Sequence, residues 1–233
     1  HVTAGMSRSS GGTSRVISEL IDNLSQSTEL DIRLISQRND RTAILRPTSL
    51  NVVADIPTSL IPGIGATGLP ARSSILKSFA QQCPALVHNH GIWHPVNHWA
   101  TRISYQRGIK IISQPHGMLQ PWALEWHSRR KKLALAVYQR RDLGRASLLV
   151  ATSHQEAEAF RRLGLRQPIA LIPNGVDIPP WVQSQNCSTD KFNNTQRNAL
   201  FLGRIHPVKG LLNLLHAWSV VRPINWKLKL AGP

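Results

Sequence analysis

Four histidines, His88, His90, His94 and His98, crowd one short stretch with Trp93 and Trp99 interleaved. A His-x-His pair can hold a metal, and His94 and His98 at i, i+4 spacing would share one helix face. The same side chains can serve as packing and hydrogen-bonding groups at a strand end. That reading is preferred here, because no Asp, Glu or Cys nearby completes a ligand shell. Asn89-His90-Gly91 follows the apolar run Ala85–His88, and Gln114-Pro115-His116-Gly117-Met118 follows the run Lys110–Ser113. Open α/β sheets bind ligands beyond the carboxyl ends of their strands. Two His-Gly turns at two such ends can therefore present imidazoles to a sugar hydroxyl or a phosphate. From spacing alone, an ordinary polar loop histidine explains each equally well.

Three further places suit an anion. Gly11-Gly12, between the short apolar start His1–Ala4 and a helical pattern from residue 13, lets backbone approach a phosphate at a helix N-terminus, although paired glycines also make plain turns. It is not a GxGxxG fingerprint, so it gives no support for a dinucleotide site. Arg129-Arg130-Lys131-Lys132, leading into Leu133–Tyr138 and then Arg140-Arg141, reads as a basic amphipathic helix for acidic lipid or an acceptor phosphate, or else as a solvated helix face. Finally, Leu202-Gly203-Arg204-Ile205-His206-Pro207-Val208-Lys209-Gly210 runs from an apolar strand through a loop into a helix. Arg204 supplies a planar fork and Lys209 a point charge, so this turn reads as a diphosphate clamp rather than as stray loop charges.

The elements that must position these groups alternate. Short apolar runs at Ile32–Ile35, Asn51–Ala54, Ala85–His88, Lys110–Ser113, Leu148–Ala151, Ile169–Ile172, Ala199–Leu202 and Leu228–Ala231 read as buried parallel strands. Helical patterns at 13–24, 155–163 and 210–221 lie between some of them. This is the signature of an α/β fold with a parallel sheet. The polar, Asn/Ser/Gln-rich stretch 178–198 reads as a linker, which divides the chain into a domain over 1–177 and the opening βαβ unit of a second over 199–233. One βαβ unit cannot bury both faces of its sheet.

Composition narrows the partners. The chain has 233 residues, 28 Lys and Arg against 12 Asp and Glu, and a formal net charge of +16, which favours an anionic partner. No helix-turn-helix, zinc-finger or aromatic-stripe pattern points to nucleic acid. Cys83 and Cys187 stand far apart with no CxxC, which fits a reducing compartment, and no run is apolar enough for a membrane span. The chain opens on His1 and closes just after an apolar run, so it is expected to be part of a longer reading frame.

Taken together, Gly11-Gly12-Thr-Ser-Arg-Val, His88-Asn-His-Gly-Ile-Trp93, Pro115-His-Gly-Met-Leu119, Thr152-Ser-His-Gln-Glu156, Ile172-Pro-Asn-Gly-Val-Asp177 and Gly203-Arg-Ile-His-Pro-Val-Lys-Gly210 resemble, in order, the motifs of family 4 glycosyltransferases. The resemblance implies a GT-B fold, two Rossmann-like domains, here with the second one incomplete. It implies transfer of a sugar from a nucleotide-sugar to an acceptor hydroxyl with retention, in surface polysaccharide or lipopolysaccharide assembly. His116 would be the catalytic histidine by the donor sugar. Gly11, Gly12, Arg204 and Lys209 would bind the donor diphosphate, and His90 and Trp93 would shape the acceptor side. No metal and no cofactor is expected, because Arg and Lys replace a divalent cation. The implied partners are a nucleotide-sugar donor, a glycan or lipid-linked acceptor and an acidic membrane surface met by Arg129, Arg130, Lys131 and Lys132. The implied place is cytoplasmic, peripheral at the inner face of the membrane. The family's acidic Glu-x7-Glu element is absent from this sequence, so the chain alone is expected not to turn over substrate. The alternatives are a non-catalytic basic module that docks on acidic membrane or another polyanion, and, ranked last, a histidine-metal hydrolase.

Overall fold

The structure is a computed structural model that describes residues 1–6, 12–27, 29–38, 45, 47–49, 53–57, 68–125, 128–176 and 197–232. It divides into two compact units, His1–Gly175 and Val176–Pro233. Most of the expected linker 178–198 lies outside the described residues.

In the first unit seven parallel strands form one sheet: β1 (Val2–Thr3), β2 (Leu34–Arg38), β3 (Val53–Pro57), β4 (Leu86–His90), β5 (Lys110–Gln114), β6 (Leu148–Ala151) and β7 (Ile169–Leu171). Their order is β3-β2-β1-β4-β5-β6-β7. The order reverses between β1 and β4, which pair with Val2 opposite Asn89 and Thr3 opposite His90. A doubly wound sheet opens a crevice at that reversal, at the carboxyl ends of the strands.

The helices are amphipathic in the way their positions require. Helix α1 (Gly12–Ser27) buries Ser14, Ile17 and Ile21, and Ile17 and Ile21 join Met6 and Leu34 in one apolar cluster. Helix α2 (Leu69–Gln81) buries Ala71, Ile75 and Phe79 at successive i+4 steps against Val2, Ile35 and Val87. It begins at Gly68, whose φ is +66° and where an added Cβ would stand 2.2 Å from the Cβ of Pro95. A side chain is therefore barred twice there, by dihedral and by space. Helix α3 (Pro95–Gln106) starts on a proline, as first turns tolerate. Its buried face mixes Val96, Ala100 and Ile103 with Asn97, Thr101 and Ser104.

Beyond β5 come α4 (Pro121–Glu125), α5 (Ser128–Ala134), a π-helical turn over Leu135–Gln139 and α6 (Arg140–Gly144). The buried Asp142 of α6 meets His98 of α3 at 2.6 Å and Arg145 at 3.4 Å, which locks these helices together. Helix α7 (His154–Arg162) packs Phe160, fully buried, against Leu149, Leu143 and Leu165. Burying such a side chain contributes about 1.5–3 kcal/mol.

The described part of the second unit holds one parallel pair, β8 (Arg197–Leu202) and β9 (Trp226–Ala231), joined by a 3-10 turn at Pro207–Lys209 and α8 (Leu211–Val221). None of the residues of β8, α8 or β9 is buried, and Leu200, Leu202, Leu212, Val220 and Leu230 are exposed.

Candidate active site

The histidines of the sequence pattern separate into two groups. His94 caps α3 with extended backbone, and His98 is committed to Asp142. His88 and His90 instead lie two apart in β4 and so face the same side of the sheet. There they meet His1 and His116. Ring centroids are 4.0 Å apart for His88–His90, 5.2 Å for His1–His90 and 5.4 Å for His90–His116. Four imidazoles thus climb one face of the sheet to the turn after β5, beside the order reversal.

Hydrogen bonds thread this column. His90 Nε2 is 2.9 Å from His1 Nδ1, and His90 Nδ1 is 3.2 Å from His116 Nε2. His88 Nε2 donates to Gln114 Oε1 at 3.1 Å, because an amide oxygen can only accept. Burial pushes the ring pKa of both His88 and His116 down to about 4 and that of His90 well below the ordinary value. For His116 the carboxylate of Glu156 pulls the other way without reversing the shift. All three are neutral at pH 7, so each carries one N–H and one lone pair. Protons along His1–His90–His116 then point in one direction or the other, and His116 presents Nδ1 as donor or acceptor accordingly.

Neutrality has a consequence for folding. His88 and His116 refuse protons until about pH 4, whereas an unfolded chain takes them up near 6.5. The unfolded state therefore binds more protons between those limits, and stability falls as pH drops through that window and levels off below it. Each histidine accounts for on the order of 3 kcal/mol at the acid end. Urea midpoints at pH 7.5 and pH 4.5 are expected to differ more in the wild type than in His88→Asn. Equal differences in the two proteins would reject this origin of acid lability.

The backbone at the site is held in unusual conformations. His116 has φ +54° and Trp93 φ +77°, both left-handed without being glycine; Gly117 follows His116 at +77°, and Gly91 stands two residues before Trp93 at +80°. The turns carrying them are pinned. Gly91 N–H donates to Gln114 O at 2.8 Å, and Gln139 Oε1 accepts from Trp93 N–H at 2.9 Å. Tyr138 O–H donates to Trp93 O at 3.0 Å. Gly117 N–H donates to Glu156 Oε1 at 2.5 Å. The indole Nε1 of Trp93 is buried with no hydrogen-bond partner among the described residues.

The other predicted site residues fall as follows. Gly11 lies outside the described residues. Gly12 is the first residue of α1, and an added Cβ there would meet no atom of the described residues within 4 Å. His90 is only 1% exposed, and its Nδ1 is engaged by His116. Arg129, Arg130 and Lys132 are exposed on α5. Lys131 instead turns inward, where it donates to the carbonyl of Ala123 and sits 6.0 Å from the Trp93 ring. In the second unit Arg204 follows Gly203 at the end of β8, and Lys209 closes the 3-10 turn. Both are exposed, and neither has an ion-pair partner among the described residues. Gly210, at φ +65°, then starts α8. Gly232 closes against this loop so tightly that an added Cβ would lie 2.0 Å from Gly203 O.

Sequence reasoning gave Glu156 no role, yet its carboxylate holds the His116–Gly117 turn. The signal was present: Ser153-x-x-Glu156 is a capping-box spacing. Ser153 caps α7 by accepting from Glu156 N–H at 3.3 Å.

A parallel sheet of this order, with an imidazole-lined crevice at its reversal, defines a Rossmann-like domain of the kind found in GT-B glycosyltransferases. The Glycosyltransferase Family 4 model matches residues 10–178. The chain belongs to glycosyltransferase family 4. Among solved structures it is similar to Anabaena HepE in complex with UDP and glucose, at TM-score 0.65 and 17% identity, covering 98% of this chain and 59% of that one. It is also similar to UDP-GlcNAc 2-epimerase from Methanocaldococcus jannaschii, at TM-score 0.56 and 12% identity, covering 94% of this chain and 62% of that one. The chain thus spans about three fifths of the length of these neighbours. No curated protein matches the sequence.

Proposed function

We propose that this chain is part of a retaining glycosyltransferase that moves a sugar from a nucleotide-sugar to an acceptor hydroxyl in surface polysaccharide or lipopolysaccharide assembly. The observation that carries the reading is His116: a neutral imidazole, held in a left-handed turn at the carboxyl end of β5, in a chain of this family. His116 contacts the donor sugar and lends a hydrogen bond to the reacting centre. Gly11 and Gly12 are assigned to contact the donor diphosphate. Arg204 and Lys209 are assigned to bind a diphosphate as well, their two positive charges opposing the charge that grows on the leaving group. The Trp93 indole N–H, without a partner among the described residues, is a donor for an acceptor oxygen, with His90 behind His116. HepE, whose structure contains UDP and glucose, supports a nucleotide-sugar donor.

The test uses the full-length protein. Nucleotide-sugars are supplied with acceptor glycans, release of nucleoside diphosphate is followed, and the new linkage is read by NMR. Retention appears as the donor's anomeric configuration in the product. An inverted product, or no transfer from any donor, overturns the reading. The clamp makes a divalent cation unnecessary, so turnover is expected to survive a chelator. His1, His88 and His90 do offer ring nitrogens within 4.8 Å of one another. Those of His90 are already engaged by His1 and His116, which favours a hydrogen-bonded column over a metal site. The exposed apolar faces of β8, α8 and β9 fit a second domain completed by further chain, and the described chain alone is not expected to catalyse transfer.

A peripheral place at an acidic, cytoplasm-facing membrane is part of the proposal. Arg129, Arg130, Lys132, Arg140 and Arg141 are exposed, and so are Leu133 and Val137, which lie between them in sequence. Among the described residues no helix is long and apolar enough to cross a membrane. Each basic residue near an anionic surface contributes roughly 1 kcal/mol, so Arg129→Ala, Arg130→Ala and Lys132→Ala combined should weaken vesicle binding about a hundredfold. Co-sedimentation with phosphatidylglycerol vesicles measures this. Binding unchanged by the triple substitution assigns these charges to the solvated face of the helix instead.

A further inference from the structure

We propose that Glu156 is the positioning residue of His116, acting through the backbone of Gly117. The inference rests on the proposed role of His116 and deepens it.

Glu156 is fully buried in the first turn of α7. Its Oε1 accepts from Gly117 N–H at 2.5 Å. Its Oε2 accepts from Thr152 N–H at 2.8 Å and Thr152 O–H at 2.9 Å. None of the described cationic side chains forms an ion pair with it, so the charge is met by three donors and the N-terminal end of the helix. In an ordinary capping box the glutamate would turn back to the cap residue's N–H. Here one oxygen reaches across to the turn after β5, so a single carboxylate fastens the β5 turn to the β6 turn.

The fastening matters because His116 and Gly117 are consecutive left-handed residues. A non-glycine residue in that region is strained and persists only where its surroundings fix it. Without Glu156 the Gly117 N–H loses its acceptor and the turn is free to relax. His116 would then leave the reach of His90. The carboxylate also acts directly on the ring, partly offsetting the burial that keeps His116 neutral. The other titratable groups around the ring are His90 and, one step further down the column, His88, both from β4.

The experiment compares full-length wild type with Glu156→Gln and Glu156→Asp. It reads the His116 ring by nitrogen NMR across pH, Gly117 amide exchange, and steady-state transfer. In Glu156→Gln the His116 pKa is expected to fall and its tautomer balance to change. Gly117 exchange should quicken at least tenfold, and kcat should drop ten- to a hundredfold while the donor KM stays within about threefold. Glu156→Asp keeps the charge on a shorter arm and should recover part of each effect, and it serves if the glutamine variant does not fold. A His116 titration and Gly117 exchange identical to wild type in both variants overturn the inference. A changed His116 with undiminished turnover upholds the link to Glu156 and sinks the catalytic role of His116 instead.

Discussion

Replacing His116 by alanine is expected to lower kcat of the full-length enzyme by roughly 10²- to 10³-fold, the range seen when one preorganised hydrogen-bond donor is removed from a reacting centre. The imidazole is neutral at working pH, with a pKa near 4 set by burial. It therefore acts as a fixed dipole, and kcat should show no inflection near pH 6.5 attributable to this residue. The backbone supplies a control. At φ +54° asparagine is far better accommodated than alanine. His116→Asn keeps the turn while removing the ring, and should recover part of the loss through its amide. If alanine at this position leaves kcat within twofold of wild type, the catalytic assignment is wrong. If asparagine restores kcat completely, the turn matters and the imidazole does not.

The second large effect is expected at the proposed diphosphate clamp. Arg204→Ala and Lys209→Ala should each weaken nucleoside diphosphate binding by about 10- to 100-fold, since a hydrogen bond to a charged group contributes about 1.5–3 kcal/mol. Both side chains leave a short loop between β8 and α8 and have no anion of their own among the described residues. Gly203 and Gly232 approach backbone to backbone beside them, which fixes the root of Arg204. Arg204→Lys keeps the charge but loses the bidentate fork, and should fall between wild type and alanine. Calorimetric titration of the full-length protein decides the matter. Affinity unchanged in both alanine variants removes the clamp.

Much of the sheet was legible because buried parallel strands are continuous apolar runs. Leu148–Ala151 is read residue for residue, and the start of β7 likewise. The misses follow from buried polar groups. The apolar run Ala85–His88 ends at His88, yet β4 continues through Asn89 and His90. Asn89 is satisfied inside the fold by Asn97 and Thr101, and His90 by His1 and His116. Hydropathy cannot see a polar residue whose partner lies far along the chain. For the same reason α3 leaves a broken pattern: Asn97, Thr101 and Ser104 share its buried face. Strand β2 is shifted from the expected Ile32–Ile35 to Leu34–Arg38, where Ser36 and Gln37 are buried polar residues. The two His-Gly turns were visible as strand-end features. Their union into one imidazole column, and its fastening by Glu156, depends on β4 and β5 lying side by side, which spacing alone does not state.

The reversal of strand order also dictates a history for the chain as it is made. β1 occupies the middle of the sheet, yet one of its two neighbours, β4, is synthesised long after it. At about 5–20 residues per second a ribosome takes several seconds to span that interval. Throughout it the Val2–Thr3 segment can pair only with β2. The half-sheet β3-β2-β1 must wait with one edge open, the edge that His90 later covers. Such edges invite pairing with other chains. The nascent protein is thus most exposed to misassociation before β4 has left the ribosome, and chaperone occupancy should fall once it emerges.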